Sequence, residues 1–130
     1  MNAGQDSSPV GSVAAEISNS IVHLLSTHYG RGPTKAKTYL FDNYVFCVLQ
    51  NLLTTSEQTL VETGQSDLVR KTRLAFQEVL AEEFRGAVER ATGKRVLAYH
   101  SQVVFGPDMG FEIFVLEDGR PAEDGARSLP

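Results

Sequence analysis

Apolar residues recur with a helical period near the start of the chain. Intervals of four, three and one place four of them on a single helix face: Ile17, Ile21, Leu24 and Leu25. Ser12 is a suitable N-cap, and Gly30 can take the left-handed backbone conformation that ends a helix. The pattern therefore predicts an amphipathic first helix over residues 12–29.

The period changes from helical to alternating after Pro33. Residues 35–41 alternate with a period of two, which predicts a strand, and Asp42-Asn43 is a turn signal. The following run, residues 44–49, is apolar on both faces. It predicts a central strand that is covered on each side, by a helix layer on one face and by a partner chain on the other.

Two helices are predicted next. Thr54 and Glu57 have the spacing of a capping box at the start of a short helix, which Gly64 interrupts. Residues 66–67 can cap a second helix that runs to residue 92 and is closed by Gly93. Its predicted core-facing stripe consists of Val69, Phe76, Leu80, Phe84 (or Glu83), Ala87 and Ala91.

A second hairpin completes the pattern, with strands over residues 96–105 and 111–116 and a Gly- and Pro-containing turn between them. Simple alternation puts Val96 and His100 on one face of the first strand and Tyr99 on the other. The order α-β-β-α-α-β-β predicts an α+β fold with a four-stranded, mainly antiparallel sheet packed against helices. We expect one domain over residues 12–117 between disordered tails, 1–11 and 118–130.

Composition excludes several functional classes. A net charge of −4 and a pI near 5.3 argue against nucleic-acid binding. No signal peptide or apolar span is recognisable, so we expect a cytoplasmic protein without membrane insertion. Catalytic motifs are absent, the single Cys47 has no adjacent acid–base partner, and the histidines lack metal-ligand spacing. We expect no metal and no cofactor, and a binding protein is favoured over an enzyme.

Two features are candidates for binding. The Gly-rich corner at residues 30–33 can expose backbone N–H groups to an anion, with Lys35 and Lys37 beside it, or it can simply end the helix among solvated cations. Arg73 interrupts the apolar stripe, so it either extends its stem over the core edge or reaches a carboxylate or bound anion. With a strand histidine added, the candidate residues are Gly30, Arg31, Gly32, Pro33, Lys35, Arg73 and His100.

Over residues 13–117 the chain resembles the MpsC-like family, which is named for a sodium-translocating, membrane-potential-generating system. The resemblance rests on Gly30-Arg31-Gly32-Pro33, Leu53-Thr54 with Glu57, Arg73, and residues 96–101 and 111–116. Where members often have Ser-Asp, this chain has Ser101-Gln102. The resemblance implies a cytosolic accessory or regulatory module associated with membrane ion or inorganic-carbon transport, without known catalytic residues.

Two functions follow as hypotheses. The first is a non-enzymatic binding module. The strands that are apolar on two sides favour a homodimer, and the family resemblance implies contact with membrane-transport subunits. The second is a small-anion or nucleotide-binding domain or enzyme that uses the Gly-Arg-Gly-Pro corner.

Overall fold

The computed structural model of the chain describes residues 9–118. The bounds of its helices and strands are α1 Pro9–Tyr29, β1 Lys35–Phe41, β2 Tyr44–Gln50, α2 Thr55–Glu62, α3 Ser66–Thr92, β3 Val96–Val104 and β4 Met109–Leu116. The strands form one sheet in the order β1-β2-β4-β3, and every neighbouring pair is antiparallel. The predicted α+β class and the predicted order of elements are confirmed.

The first helix starts earlier than its sequence pattern predicted. It begins at Pro9, so Ser12 lies inside the helix and the predicted N-cap is wrong. Proline is well suited to a first helical position, because it has no N–H and its φ already fits the helix. Residues 9–11 are thus helical, and the rest of the predicted N-terminal tail lies outside the described residues, as does 119–130 of the C-terminal tail.

The turn chemistry read from the sequence is largely confirmed. Gly30 and Gly93 end α1 and α3 with positive φ angles of 83° and 72°, and Thr54 forms the predicted capping box with Glu57. The start of α3 differs, because its N-cap is Gln65 and not the pair at 66–67. The Gln65 N–H donates to the carbonyl of Leu60 at 2.7 Å, so the chain passes from α2 directly into the next helix.

All the helix packing occurs on one face of the sheet. Helix α1 lies against β1 and α3, and α3 lies against β3. The core between these layers is apolar, and its largest fully buried side chains include Ile17, Ile21, Val45, Leu49, Phe114 and Val88. We call this side the inner face and the opposite side the outer face. Among the described residues no helix covers the outer face, so the predicted partner chain there stays a prediction.

An irregularity in β3 changes which side chains point inward. Val96 pairs with Leu116 and Ala98 with Val115, so two residues of β3 face one residue of β4 at this point. The extra residue is a β-bulge, which resets the alternation. Val96 and Tyr99 therefore both contribute to the core, and the prediction that Val96 shares a face with His100 is wrong.

The core stripe of α3 has the predicted phase. Val69, Leu80, Phe84 and Ala87 are buried, whereas Phe76 and Ala91 are only partly buried and pack against the core edge. Val88 and Arg73 are also buried, although neither was predicted to be. The buried positions thus define the side of α3 that faces the core.

Leu80→Ala tests this direction. Leu80 is 4% exposed and Val79 is 77% exposed on the same helix, so we expect Leu80→Ala to lower the free energy of unfolding by about 2–5 kcal/mol. Val79→Ala is the control, with an expected change within about 0.5 kcal/mol. Urea denaturation measures both, and similar costs for the two variants would contradict the assigned helix phase.

Candidate functional site

A cavity of about 210 Å³ lies between α3 and the inner face of β3 and β4. Its apolar lining includes Leu25, Leu52, Leu74, Leu80, Phe84 and Val103. Its polar lining includes Tyr29, Arg70, Arg73, Gln77, Tyr99, Ser101 and Glu112. A concave, mainly apolar site with a few convergent polar groups is the usual form of a small-molecule site.

One polar group of the cavity is a buried ion pair. Arg73 Nε donates to Glu57 Oε2 at 2.8 Å and Arg73 Nη2 donates to Glu57 Oε1 at 2.6 Å, which is a bidentate contact. The two side chains are only 9% and 11% exposed. The guanidinium also lies 3.9 Å from the centroid of the Tyr29 ring. Of the two readings of Arg73, contact with a carboxylate is therefore the correct one, and extension of its stem over the core edge is wrong.

A second buried carboxylate lies on β4. Glu112 is 4% exposed and accepts hydrogen bonds from the Tyr99 hydroxyl at 2.6 Å and from the Ser101 hydroxyl at 2.9 Å. Burial raises the pKa of Glu112 to about 7, against the lowering effects of these two hydrogen bonds and of the Arg73 charge. This carboxyl group therefore changes its protonation state near neutral pH.

The pKa values of the neighbouring groups follow the same physics. Burial raises the pKa of Tyr29 to about 12, and burial together with the Glu112 carboxylate raises the pKa of Tyr99. Burial also opposes ionisation of Glu57, but hydrogen bonds from Arg73 and Thr54 outweigh it and lower the pKa of Glu57. Glu57 and Glu112 are thus two buried carboxyl groups with opposite shifts.

The segment before α2 is held by side chains from other elements. The backbone N–H groups of Leu52 and Leu53 each donate to the Asp108 carboxylate at 3.1 Å. The Leu52 carbonyl accepts from Arg73 at 3.0 Å, and the Leu53 carbonyl accepts from Arg31. Buried backbone polar groups need such partners. The reading that left the Arg31 guanidinium in solvent is therefore wrong.

The Gly-rich corner fits closely against α1. A Cβ atom on Gly32 would lie 2.4 Å from Ser26 Oγ and 3.3 Å from the Val22 carbonyl oxygen, so this position has no room for a side chain. Gly30 donates its N–H to the Ser26 carbonyl, and Pro33 is half-buried. The corner thereby directs Arg31 toward the start of α2.

The seven candidate binding residues occupy separate places. Arg31 and Arg73 meet at the segment before α2, and only Arg73 lines the cavity. Lys35 and His100 are exposed on the outer face, on strands at opposite edges of the sheet. The structure thus brings the two arginines to one segment and leaves Lys35 and His100 on the other side of the sheet.

The outer face carries a broad apolar surface. Its apolar members are Tyr39, Phe41, Tyr44, Phe46, Val48, Ala98, Val104, Met109, Phe111, Ile113 and Val115. Phe46 and Phe111 stack with ring centroids 5.8 Å apart, and Phe41 and Tyr44 are in contact at 6.1 Å. The polar members are Lys35, Lys37, Gln50, His100 and Gln102.

Sequence reasoning missed most of the cavity's chemistry. Glu57 was recognised only as part of a capping box, and Tyr99 and Ser101 only as strand residues. Glu112 did leave a signal, because it is a charged residue on the same strand face as Phe114 and Leu116. An ionisable group at a core position is unusual and marks a candidate site.

Comparison with known proteins identifies the family. Residues 10–118 match the model of the family described as "Na+-translocating membrane potential-generating system (MpsC)". The match covers most of the chain, which therefore belongs to the MpsC family. Comparison with curated proteins gave no match, and comparison with solved structures gave none either.

Two features that residues 9–118 lack bear on the kind of site. Within this range no helix is both long and apolar enough to cross a membrane. The same residues contain no group of three or more His, Cys, Asp or Glu side chains that could hold a metal ion.

Arg73→Ala tests the buried pair. The substitution leaves the Glu57 carboxylate buried without its cation and removes the donor to the Leu52 carbonyl, so we expect a loss of about 3–5 kcal/mol in unfolding free energy. The matched control is Arg70→Ala, one turn earlier, whose partner Asp67 is 92% exposed. That control should cost no more than about 1 kcal/mol. Equal costs in urea denaturation would contradict a stabilising role for the pair.

Glu112→Gln tests the raised pKa. Its pKa rises on folding from an ordinary 4.5 to about 7, so the native state binds this proton more tightly than the unfolded chain does. The resulting stability is complete below about pH 4.5 and is lost as pH rises through about 7. Relative to wild type, Glu112→Gln should therefore gain about 3 kcal/mol between these two ends of the window.

Urea denaturation at both pH values measures this gain. Because other groups titrate equally in both proteins, the comparison isolates Glu112. Glu78→Gln, at an exposed position on α3, is the control for the chemical change from Glu to Gln. A pH-independent difference for Glu112→Gln would show that its pKa is not raised.

Proposed function

We propose that this chain is a non-enzymatic accessory or regulatory module on the cytoplasmic side of a Na+-translocating, membrane-potential-generating system. It docks on a subunit of that system through the outer face of its sheet. Family membership supports the association with this Na+-translocating system. The outer face, apolar and uncovered by the described helices, is the observation that carries the docking.

The size and exposure of this face support an interface. Tyr39, Phe41 and Tyr44 are 47%, 56% and 47% exposed and lie together at the β1–β2 hairpin. Aromatic residues are enriched at the centres of protein interfaces. A contiguous apolar patch of this kind is rare on a monomer unless it binds something.

Charge supports an acidic partner. Lys35, Lys37 and His100 are on this face, and none of the four described strands places an Asp or Glu there. The chain as a whole is acidic, with a net charge of −4, so this face differs from the average surface. An acidic patch on a transport subunit complements it, whereas a second copy of the chain would bring like charges together.

The candidate binding residues divide into two roles in this proposal. Lys35 and His100 contact the partner directly, together with the aromatic residues of the outer face. Arg31 and Arg73 act from the inside, because they fix the segment that follows β2. Gly30, Gly32 and Pro33 shape the corner that carries Arg31.

Binding to native membranes tests the proposal. Inside-out vesicles from cells that encode this chain expose the cytoplasmic surface of the transport system, and purified protein should cosediment with them. Phe41→Glu places a carboxylate in the apolar patch and should weaken binding about tenfold or more. Val79→Glu changes an exposed apolar residue on α3, away from the outer face, and should leave binding unchanged.

Three further comparisons identify the occupant. Protease-stripped vesicles and protein-free liposomes should lose the binding, since the proposed partner is a protein subunit, and right-side-out vesicles should not bind. Equal binding to protein-free liposomes would contradict the proposal in favour of lipid. A homodimer, the earlier prediction, is measured by sedimentation, and a dimer that Phe41→Glu dissociates would assign this face to a second copy instead.

A further inference from the structure

The cavity beneath α3 contains one carboxylate whose charge has no cationic partner. Arg73 is neutralised by Glu57, and Arg70 at the cavity edge donates to Asp67 at 2.9 Å. Glu112 receives hydrogen bonds from two neutral hydroxyls. Among the described residues it forms no salt bridge, and the Arg73 charge acts on it only from beyond ion-pair distance.

The same inventory excludes an anionic ligand as the best fit. Two of the three guanidinium nitrogens of Arg73 already donate to Glu57 or to the Leu52 carbonyl. Its remaining attraction for an anion is offset by the Glu57 carboxylate beside it and by Glu112 across the cavity. An incoming carboxylate or phosphate would therefore meet only arginines that already have a carboxylate partner, and it would be repelled by an ionised Glu112.

The walls of the cavity define the rest of the ligand. Leu25, Leu74, Leu80, Phe84 and Val103 give it an apolar lining on the α1, α3 and β3 sides. An apolar cavity of about 150 Å³ accepts a benzene-sized molecule. At about 210 Å³ this cavity has room for such a ring or branched alkyl group together with a short polar arm.

We propose that this cavity binds a small amphiphilic amine, with its apolar body between α3 and β3 and its protonated amino group paired with Glu112. Tyr99 and Ser101 are positioning residues, since their hydroxyl groups fix both carboxylate oxygens. Each oxygen keeps a lone pair for the ammonium group. The proposal is independent of the docking face, because the two lie on opposite sides of the sheet.

Binding is coupled to pH through the ionisation of Glu112. Five titratable or charged groups surround Glu112 or the residues that interact with it. They are Tyr29 of α1, Cys47 of β2, Glu57 of α2, Arg73 of α3 and Tyr99 of β3. Of these, the tyrosines and Cys47 have raised pKa values and stay neutral, and the pKa of Glu57 is lowered by its ion pair with Arg73. Glu112 is thus the group of this set that titrates near neutral pH.

An NMR titration of the full chain tests the proposal with three probes of similar shape. They are 2-phenylethylamine, neutral 2-phenylethanol and anionic 3-phenylpropionate. At about pH 8 the amine should bind about tenfold or more tightly than the alcohol, and the anion should bind weakest. At about pH 6 the amine should bind about tenfold more weakly, because Glu112 is then mostly protonated.

Variants locate the binding. Glu112→Gln keeps an acceptor for Tyr99 and Ser101 and should abolish the preference for amine over alcohol, while Glu78→Gln should retain it. Leu74→Trp enlarges a side chain that is 54% exposed at the cavity edge, so it should block all the probes without disturbing the core.

Several results would overturn the proposal. They are equal affinity for amine and alcohol, preference for the anion, retention of amine selectivity in Glu112→Gln, and absence of spectral change up to the solubility limit of the probes. Loss of vesicle binding by Phe41→Glu bears only on the docking face and leaves this result independent.

Discussion

The buried pair of Arg73 and Glu57 connects the second half of the chain to the first. Glu57 is the N3 residue of the α2 capping box, Arg73 lies in the first third of α3, and the same guanidinium reaches the Leu52 carbonyl just after β2. One ion pair therefore fixes the start of one helix, the position of another and the segment that leaves the sheet. Its removal leaves charges and carbonyls without partners, and this makes the contact a constraint on the whole arrangement.

Local rules predicted much of the fold. The stops at Gly30 and Gly93, the capping box at Thr54 and the two hairpins depend on residues close in sequence, and each rule has a direct physical cause. The order of the helices and strands followed from the succession of helical and alternating patterns. The central place of β2 followed from the apolar residues on both faces of that strand. These features need no knowledge of tertiary contacts.

The parts that sequence reasoning missed depend on contacts between distant residues. The partner of Arg73 is 16 residues away and that of Arg31 is 22 residues away, so no periodic pattern reveals them. The cluster at Glu112 needs Tyr99, 13 residues earlier, on the inner face, whereas simple alternation put Tyr99 on the face opposite to Val96. The candidate binding residues were chosen by residue type and local sequence. The structure separates them, because the sheet lies between Arg73 and Lys35.

The bulge in β3 determines where this strand can lose a residue without turning its side chains over. Near the start of β3, two residues lie opposite one residue of β4, so the strand contains one residue more than regular pairing needs. A relative that lacks this residue would regain regular pleating and still point its counterparts of Tyr99 and Ser101 toward the cavity. Elsewhere in the strand, loss of one residue would turn every later side chain over. Removal of one residue at Leu97 or Ala98 therefore preserves the side-chain directions of β3, whereas removal at a point between them and the hairpin reverses some of them.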